Sequence, residues 1–277
     1  MYIKAGFILI FLFILTAALA PIEKATTFHD KATRMESIDY IPFIPGEYLN
    51  FNLHYGIINA GEASLSIGKD EKKIAGHNHF EVNVSGKSYS FFDPFYKVRD
   101  KYQSYIDEKT MYPTVFVRDV QEGNFAKKEN YIFVRSKNEV ISGSKTFTVD
   151  PDMHDLVSTF YYIRCIDFSK QKPGTNFEFA TFFDEKVMHT GIRYTGKEII
   201  STKFGKMRCY VFKPILVKGR VFKNQDDMLL YVSEDRNQIP VRIQSKIYLD
   251  YVKADLESYK NLKYPLTALV DRRVVSK

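Results

Sequence analysis

From Glu47 onward, apolar and polar residues alternate. Leu49, Phe51, Leu53 and Tyr55 share one parity and Asn50, Asn52 and His54 the other. A period of two places such sets on opposite faces of a strand. The pattern recurs at Ala63, Leu65 and Ile67, at Phe80, Val82 and Val84, and at Phe177, Phe179, Thr181 and Phe183. It returns again at Val241, Ile243, Ser245 and Ile247, and at Val252, Ala254 and Leu256. Turn-forming residues divide the runs: Ala75-Gly76-His77-Asn78, Gln121-Glu122-Gly123-Asn124, Lys172-Pro173-Gly174 and Lys218-Gly219. Many short strands with short connections predict a mainly β protein. They form one large antiparallel sheet system, whether sandwich, open barrel or spiral.

One segment departs from this period. Asp152 to Cys165 carries Leu156, Val157, Phe160 and Ile163 at helical spacing, with Asp150 or Asp152 available as N-cap. A lone helix over 152–165 would plug or flank the sheet. It divides a single β-rich domain, 41–264, into halves at about 41–150 and 166–264. Residues 21–40 are polar and aperiodic and read as a flexible leader, and 265–277 read as a tail. The halves share a grammar. Pro45-Gly46 and Pro173-Gly174 open them, and in each a strand, an acidic turn and a proline (Pro113, Pro240) lead into the next strand. Duplication and ordinary hairpin chemistry both account for this.

The first twenty residues change the picture. Lys4 precedes an apolar run from Ala5 to Leu15 that closes on Ala18-Leu19-Ala20. This is the three-part pattern of a secretory signal, and its apolar core is short for a membrane span. The alternative is an uncleaved anchor, since Pro21 follows the cleavage point. With no cysteine after the apolar core, the pattern is not that of a lipoprotein, and the expected location is periplasmic or secreted. The formal charge of +7 falls by one when the signal is removed. Lys and Arg are dispersed among Asp and Glu, so the patch or stripe that marks a nucleic-acid groove is missing.

Two cysteines, Cys165 and Cys209, are consistent with a disulfide in an oxidising compartment, and equally with two separate core thiols. Composition adds 23 Phe and 19 Tyr and no Trp. Phe and Tyr favour pleated, half-buried surfaces, so this supply suits a wide core or an aromatic-lined cleft.

Several dispersed segments carry a resemblance. Pro45-Gly46-Glu47-Tyr48-Leu49, Tyr55-Gly56, Ala60-Gly61-Glu62-Ala63 and Phe95-Tyr96-Lys97-Val98-Arg99-Asp100 lie in the first half. Ser158-Thr159-Phe160-Tyr161-Tyr162, Gly205-Lys206-Met207-Arg208-Cys209, Ile239-Pro240-Val241-Arg242-Ile243 and Val252-Lys253-Ala254-Asp255-Leu256 follow. Over roughly Tyr40 to Leu262 the chain resembles the exported bacterial family known as domain of unknown function 3108, in its Bacteroidetes branch. That resemblance implies an exported β-protein with no assigned activity and brings no catalytic residues. At the level of architecture there is a looser similarity to half-barrel and spiral envelope proteins such as the lipoprotein carriers.

The search for chemistry finds little. Gly-x-Ser-x-Gly and the phosphate-binding Gly-x-x-x-x-Gly-Lys-Ser/Thr are both missing. His77 and His79 stand two apart and would share a strand face. That spacing suits zinc if a third ligand arrives from elsewhere, and equally a solvated turn. No cofactor is implied. The densest stretch runs from Tyr89 to Tyr105. There Tyr89, Phe92, Phe95, Tyr96, Arg99 and Tyr102 could line a cleft mouth, the aromatics gripping an apolar or sugar ligand and Arg99 an acidic group. The alternative is a loop folded over the sheet, with Arg99 and Asp100 in structural ion pairs. The expectation is an exported, non-catalytic envelope protein acting as a scaffold or partner-binding module. Alternatives are a carrier or sensor of a lipid or other apolar molecule, and a hydrolase whose site assembles only in space.

Overall fold

A computed structural model describes residues 38, 40–215, 228–247 and 250–272. The proposed signal, nearly all of the leader, and the Lys218-Gly219 turn lie outside the described residues. The first half contributes β1 (Tyr48–Tyr55), β2 (Ile58–Ile67), β3 (Lys72–Ile74), β4 (His77–Ser88), β5 (Val98–Asp107), β6 (Pro113–Glu122), β7 (Phe125–Val134), β8 (Glu139–Ser142) and β9 (Lys145–Thr148). Helix α1 (Leu156–Arg164) follows. The second half holds β10 (Asn176–Phe183), β11 (Lys186–Thr202), β12 (Gly205–Pro214), β13 (Met228–Ser233), β14 (Pro240–Ile247), β15 (Asp250–Lys260) and β16 (Leu269–Arg272).

All the strands join one antiparallel sheet in the order β10-β11-β12-β13-β14-β15-β1-β2-β4-β5-β6-β7-β8-β9, with β3 beside β4 and β16 beside β12. The halves meet where β1 pairs with β15, Tyr48 opposite Lys260 and Tyr55 opposite Val252. The two ends of the order, β9 and β10, are not joined by a ladder, so the curled sheet is open along one seam. The alternating apolar sets read from the sequence face inward: Leu49, Phe51, Leu53, Ala63, Leu65, Ile67, Phe80, Val82 and Val84 are all buried, as are Phe177, Phe179, Val241, Ile243, Val252, Ala254 and Leu256.

The helix lies within the curl. Of its nine residues only Ile163 keeps partial exposure. An element apolar or buried on every side must be surrounded by protein, and α1 touches β5 on one side and β10 on the other. Phe43 stacks edge-on against Tyr161 at 5.0 Å and against Phe80 at 5.3 Å, bringing the helix and the first half into one core. Beyond the helix, Phe168 meets Phe212 at 4.5 Å and Phe177 at 5.7 Å.

Two expectations need correction. The N-cap is Asp155, not Asp150 or Asp152. Its carboxylate accepts the backbone N–H of Val157 and Ser158, and the Ser158 side chain answers the Asp155 N–H in a capping box. The preceding residues are drawn out along β10 instead: His154 N–H donates to Ala180 O and Phe182 N–H to His154 O. The segment read as a tail is part of the domain through Arg272. Leu269–Arg272 pair with β12, and Ala268 is fully buried.

Candidate functional site

Side chains close the seam unevenly. Antiparallel strands place successive turns at alternate ends of a sheet, so the turns after β1, β4, β6, β8, β10 and β14 share one end, here the tip end. There the β10–β11 turn is fastened to the first half. Asp184 accepts from Arg118 and Lys127, each at 2.7 Å, and Glu185 accepts from Lys145 at 2.6 Å and Ser142 at 3.0 Å. Arg118 is itself buried, paired to the buried Glu129 at 3.0 Å and stacked on Phe183 at 4.5 Å. Phe182 fills the gap beneath, 5.0 Å from Tyr131 and 5.2 Å from Phe147.

Toward the other end the seam opens into a cleft of about 280 Å³, walled by Tyr112, Arg135, His154, Tyr162, Glu178 and Phe179 with Pro151, Asp152, Ile166 and Ala180. Each wall has a local cause. Tyr112 sits in the turn before β6, and Arg135 directly follows β7. His154 is fixed by the two backbone bonds to β10, and Tyr162 projects from α1. The His154 ring lies 4.8 Å from that of Tyr112 and 4.6 Å from that of Tyr162. The Arg135 guanidinium covers Tyr112 at 3.4 Å, and Phe179 meets Tyr162 edge-on at 6.1 Å. Burial pushes the His154 imidazole down to about 3; the Arg135 charge adds to this and Asp152 opposes it. His154 is therefore neutral at physiological pH. Its Nδ1 lies 3.3 Å from Ser158 Oγ. Ser158 is buried and committed to the helix cap, also bonding the Asp155 N–H at 2.9 Å. The arrangement is a small aromatic recess with one exposed cation and two carboxylates at its edge.

A second polar cluster lies inside the curl near the tip end. Strand parity puts Asp100 on the same inward face as Val98, Tyr102, Ser104 and Ile106. Burial, then the neighbouring Glu122 carboxyl, push Asp100 up to about 8, while the Gln121 N–H donates to it at 3.2 Å. Burial also raises Glu122. The two carboxyls therefore share a proton at neutral pH, as like charges held close together do. A third buried group joins the helix to the first strand: Arg164 donates to both carboxylate oxygens of Glu47, at 2.6 and 3.0 Å, and to Asn237 O at 3.1 Å.

The six residues singled out from the sequence do not form one cleft. Arg99 is held outside the curl by Asp93, through bonds of 3.1 and 2.6 Å, and by Ser88 Oγ at 3.1 Å. The ion-pair alternative therefore holds for Arg99. Tyr102, three residues on and of opposite parity, is buried inside, 6.2 Å from Phe116 and 5.8 Å from the Arg118 guanidinium. Tyr89 donates to Asn52 Oδ1 at 3.2 Å. Phe92 is half-buried and Phe95 is exposed. Tyr96 covers Gly123, where φ is +59° and an added Cβ would lie 2.7 Å from the ring.

Cys165 and Cys209 are both buried and free, so no disulfide links them. Each thiol faces a local carbonyl, Tyr161 O at 3.4 Å and Met207 O at 3.8 Å. His77 and His79 do not converge on a shared ligand set. His77 pairs with Asp107 at 3.0 Å, and His79 bonds Thr114 Oγ1 at 2.7 Å. Among the described residues no group of three His, Cys, Asp or Glu is placed to hold a metal ion.

The cleft residues were missed in sequence, although a signal existed. The signal was the polar pair His154 and Tyr162 flanking an apolar helical run; Tyr112, Arg135 and Glu178 reach them only where the seam packs.

An open, curled antiparallel sheet around a buried helix defines a class of barrel-like β-proteins. Residues 50–257 match the family described as Protein of unknown function (DUF3108), and the chain belongs to it. In fold it is similar to a beta-barrel-like protein of domain of unknown function DUF1849 from Brucella abortus, with a TM-score of 0.51 at 9% identity over 79% of this chain and 98% of that one. It also matches a candidate lipoprotein from Parabacteroides distasonis, with a TM-score of 0.33 at 11% identity over 83% of this chain and 100% of that one. No curated protein matches the chain significantly in sequence.

Proposed function

We propose that the protein is an exported, non-catalytic module of the bacterial cell envelope that binds a protein partner and takes one of its side chains into the seam cleft. Export rests on the charged, apolar and small-residue pattern of the first twenty residues. The observation that carries the binding reading is the way the interior is used. The curl is filled by α1 and a continuous core running from Phe43 to Ala268. The recess at the seam, about 280 Å³, falls below the roughly 300–1,000 Å³ of sites that enclose a drug-sized molecule. A space of that size, with aromatic walls and Arg135 at its edge, suits an anchoring side chain better than an acyl chain. Burial also leaves His154 too weak a base for proton abstraction near neutral pH, and Ser158 is engaged in capping, which disfavours a hydrolase at this site.

The carrier alternative draws on the aromatic lining of the same cleft, and one experiment separates the two. The protein is purified from the envelope under gentle conditions, its native mass recorded, and a photo-crosslinking amino acid then placed at Arg135. A bare mass with one crosslinked protein, lost on Tyr112→Ala, supports partner binding. A reproducible lipid or other apolar adduct overturns it in favour of the carrier.

A further inference from the structure

Among the described residues, most of the large apolar side chains that stand exposed lie at the tip end. Ile57 is 99% exposed and Ile58 49%, in the turn between β1 and β2; Phe91 is 75% and Phe95 80%, in the connection from β4 to β5. Phe125 opens β7 at 49%, and Tyr251 lies at the start of β15 at 38%. Scattered exposed hydrophobics are ordinary on a soluble surface. Their concentration on the turns of one end, with Phe91 and Phe95 nearly bare, is not. The loop that bears the two phenylalanines is also held firmly. Asp93 is gripped by Arg99, Tyr89 N–H donates to Ala60 O at 3.0 Å, and Tyr96 N–H donates to Phe92 O at 2.9 Å. The side chains are therefore presented by a bound scaffold.

The charge at this end completes the pattern. Glu62, Asp93, Asp184 and Glu185 are each neutralised by a Lys or Arg: Lys87, Arg99, Lys127 with Arg118, and Lys145. Lys97 and Lys186 stand exposed beside Phe95 and Val187; they outnumber the one negative charge left on the inward-facing Asp100–Glu122 pair, and the apolar tips are flanked by cations.

We infer that the tip end docks on an anionic lipid bilayer, Phe91, Phe95 and Ile57 entering the acyl boundary while Lys97 and Lys186 meet the headgroups. The apolar side chains sit on separate convex turns rather than around a shared groove. A fluid surface accommodates separate points, whereas a protein partner would need a contiguous complementary patch. Basic residues next to apolar insertion points add attraction to anionic headgroups that falls off within a Debye length. The inference is independent of the seam cleft, which opens toward the opposite end.

The chain has no tryptophan, which makes a local test clean. Among the described residues the buried core lies between Phe43 and Ala268, so a chain starting at Pro21 retains it and is free of the apolar N-terminal run. Phe95→Trp in that chain is mixed with vesicles of phosphatidylethanolamine and phosphatidylglycerol, and separately with phosphatidylcholine alone. Ile199→Trp, exposed on the sheet wall, is the control. The expected result is a blue shift at position 95 of roughly 10 nm, with quenching by brominated acyl chains, in the anionic vesicles only. Position 199 should stay unchanged, and Phe91→Ser with Phe95→Ser should abolish co-flotation by at least about tenfold without altering the circular dichroism. No shift at position 95, an equal shift at both positions, or equal response to phosphatidylcholine would each overturn the inference. A shift that depends on protein concentration without lipid would assign the tips to a second copy of the chain instead.

Discussion

His154 stays neutral through the range in which an exposed histidine titrates, because a charged imidazole has no water at the bottom of the seam. Unfolded, it takes a proton near pH 6.5; folded, at about 3. Between these values only the unfolded chain binds the proton. The contribution to stability is thus complete above pH 6.5 and is lost as pH falls toward 3. Over the full window this is on the order of 5 kcal/mol. His154→Gln removes it, so urea unfolding of wild type and variant should converge as pH drops from 7 to 4; a pH-independent gap would contradict a buried neutral imidazole. Asp100 has the opposite sign. Its folded value near 8 lets the native state hold a proton that the unfolded chain releases near 4, so stability declines as pH rises across that interval. Asp100→Asn keeps the acceptor for the Gln121 N–H and removes the conflict with Glu122. The variant should exceed wild type by about 1–3 kcal/mol at pH 9 and by much less at pH 6; Asp155, held up at about 6, titrates alike in both proteins and cancels from the difference. The ion pair expected for Asp100 does not form: it faces inward beside the Glu122 carboxyl, a placement that the alternation from Val98 to Ile106 carries but that the aromatic-rich stretch around it obscured. The ion pair of Arg99 was legible as an alternative, but its partner Asp93 was not, since the turn-rich loop between them brings the two together.

At the scale of elements, α1 is held in place by its cap and by Arg164. Glu47, ahead of β1, and Arg164, in the last turn of the helix, form a pair with side chains 0% and 3% exposed. Removing one partner strands a buried charge, and such losses run to about 3–5 kcal/mol. Arg164→Met should therefore destabilise strongly, while Arg164→Met combined with Glu47→Gln should recover much of that loss, as a double-mutant cycle in urea would show. Equal losses in the single and double variants would mean that the Asn237 contact, and not the ion pair, dominates. The strands were readable because inward and outward residues alternate regardless of topology. The helix was readable in its apolar spacing but not in its start: Asp150, Asp152 and Asp155 are equivalent in sequence. Which one caps depends on how far the preceding residues run along β10, a tertiary fact. Likewise, both hairpins with the strand–acidic turn–proline pattern were legible, and each begins its second strand at the proline, Pro113 or Pro240, with a register shift beside it. The strand that joins the two halves was not, because the pairing of β1 with β15 links residues about two hundred positions apart.

The whole molecule turns on the seam, where a sheet of this length meets itself without backbone pairing. Its two ends are held by different physics. At the tip end the Lys145–Glu185 contact is solvent-exposed and screened by salt, as surface pairs are. The Arg118–Glu129 pair beneath it has both side chains 7% exposed and is shielded from salt. Asp184 bridges the two regimes, since it binds the buried Arg118 and the half-exposed Lys127 at once, and these cations hold its carboxyl below the usual range against the effect of burial. Asp184→Lys would place a third cation against the other two and leave the buried guanidinium without half its countercharge. The seam should then part from the tip end, exposing the amides of β9 and the outer edge of β10 to exchange. Hydrogen exchange should accelerate there by at least about tenfold while β1 and β15, at the centre of the order, keep their protection. Glu185→Gln, which loses only a screened surface contact, should leave the same amides within about twofold of wild type. If β1 and β15 exchanged as fast as β9 and β10 in Asp184→Lys, the seam would not be a separate opening unit, and the curl would have to be treated as one cooperative barrel.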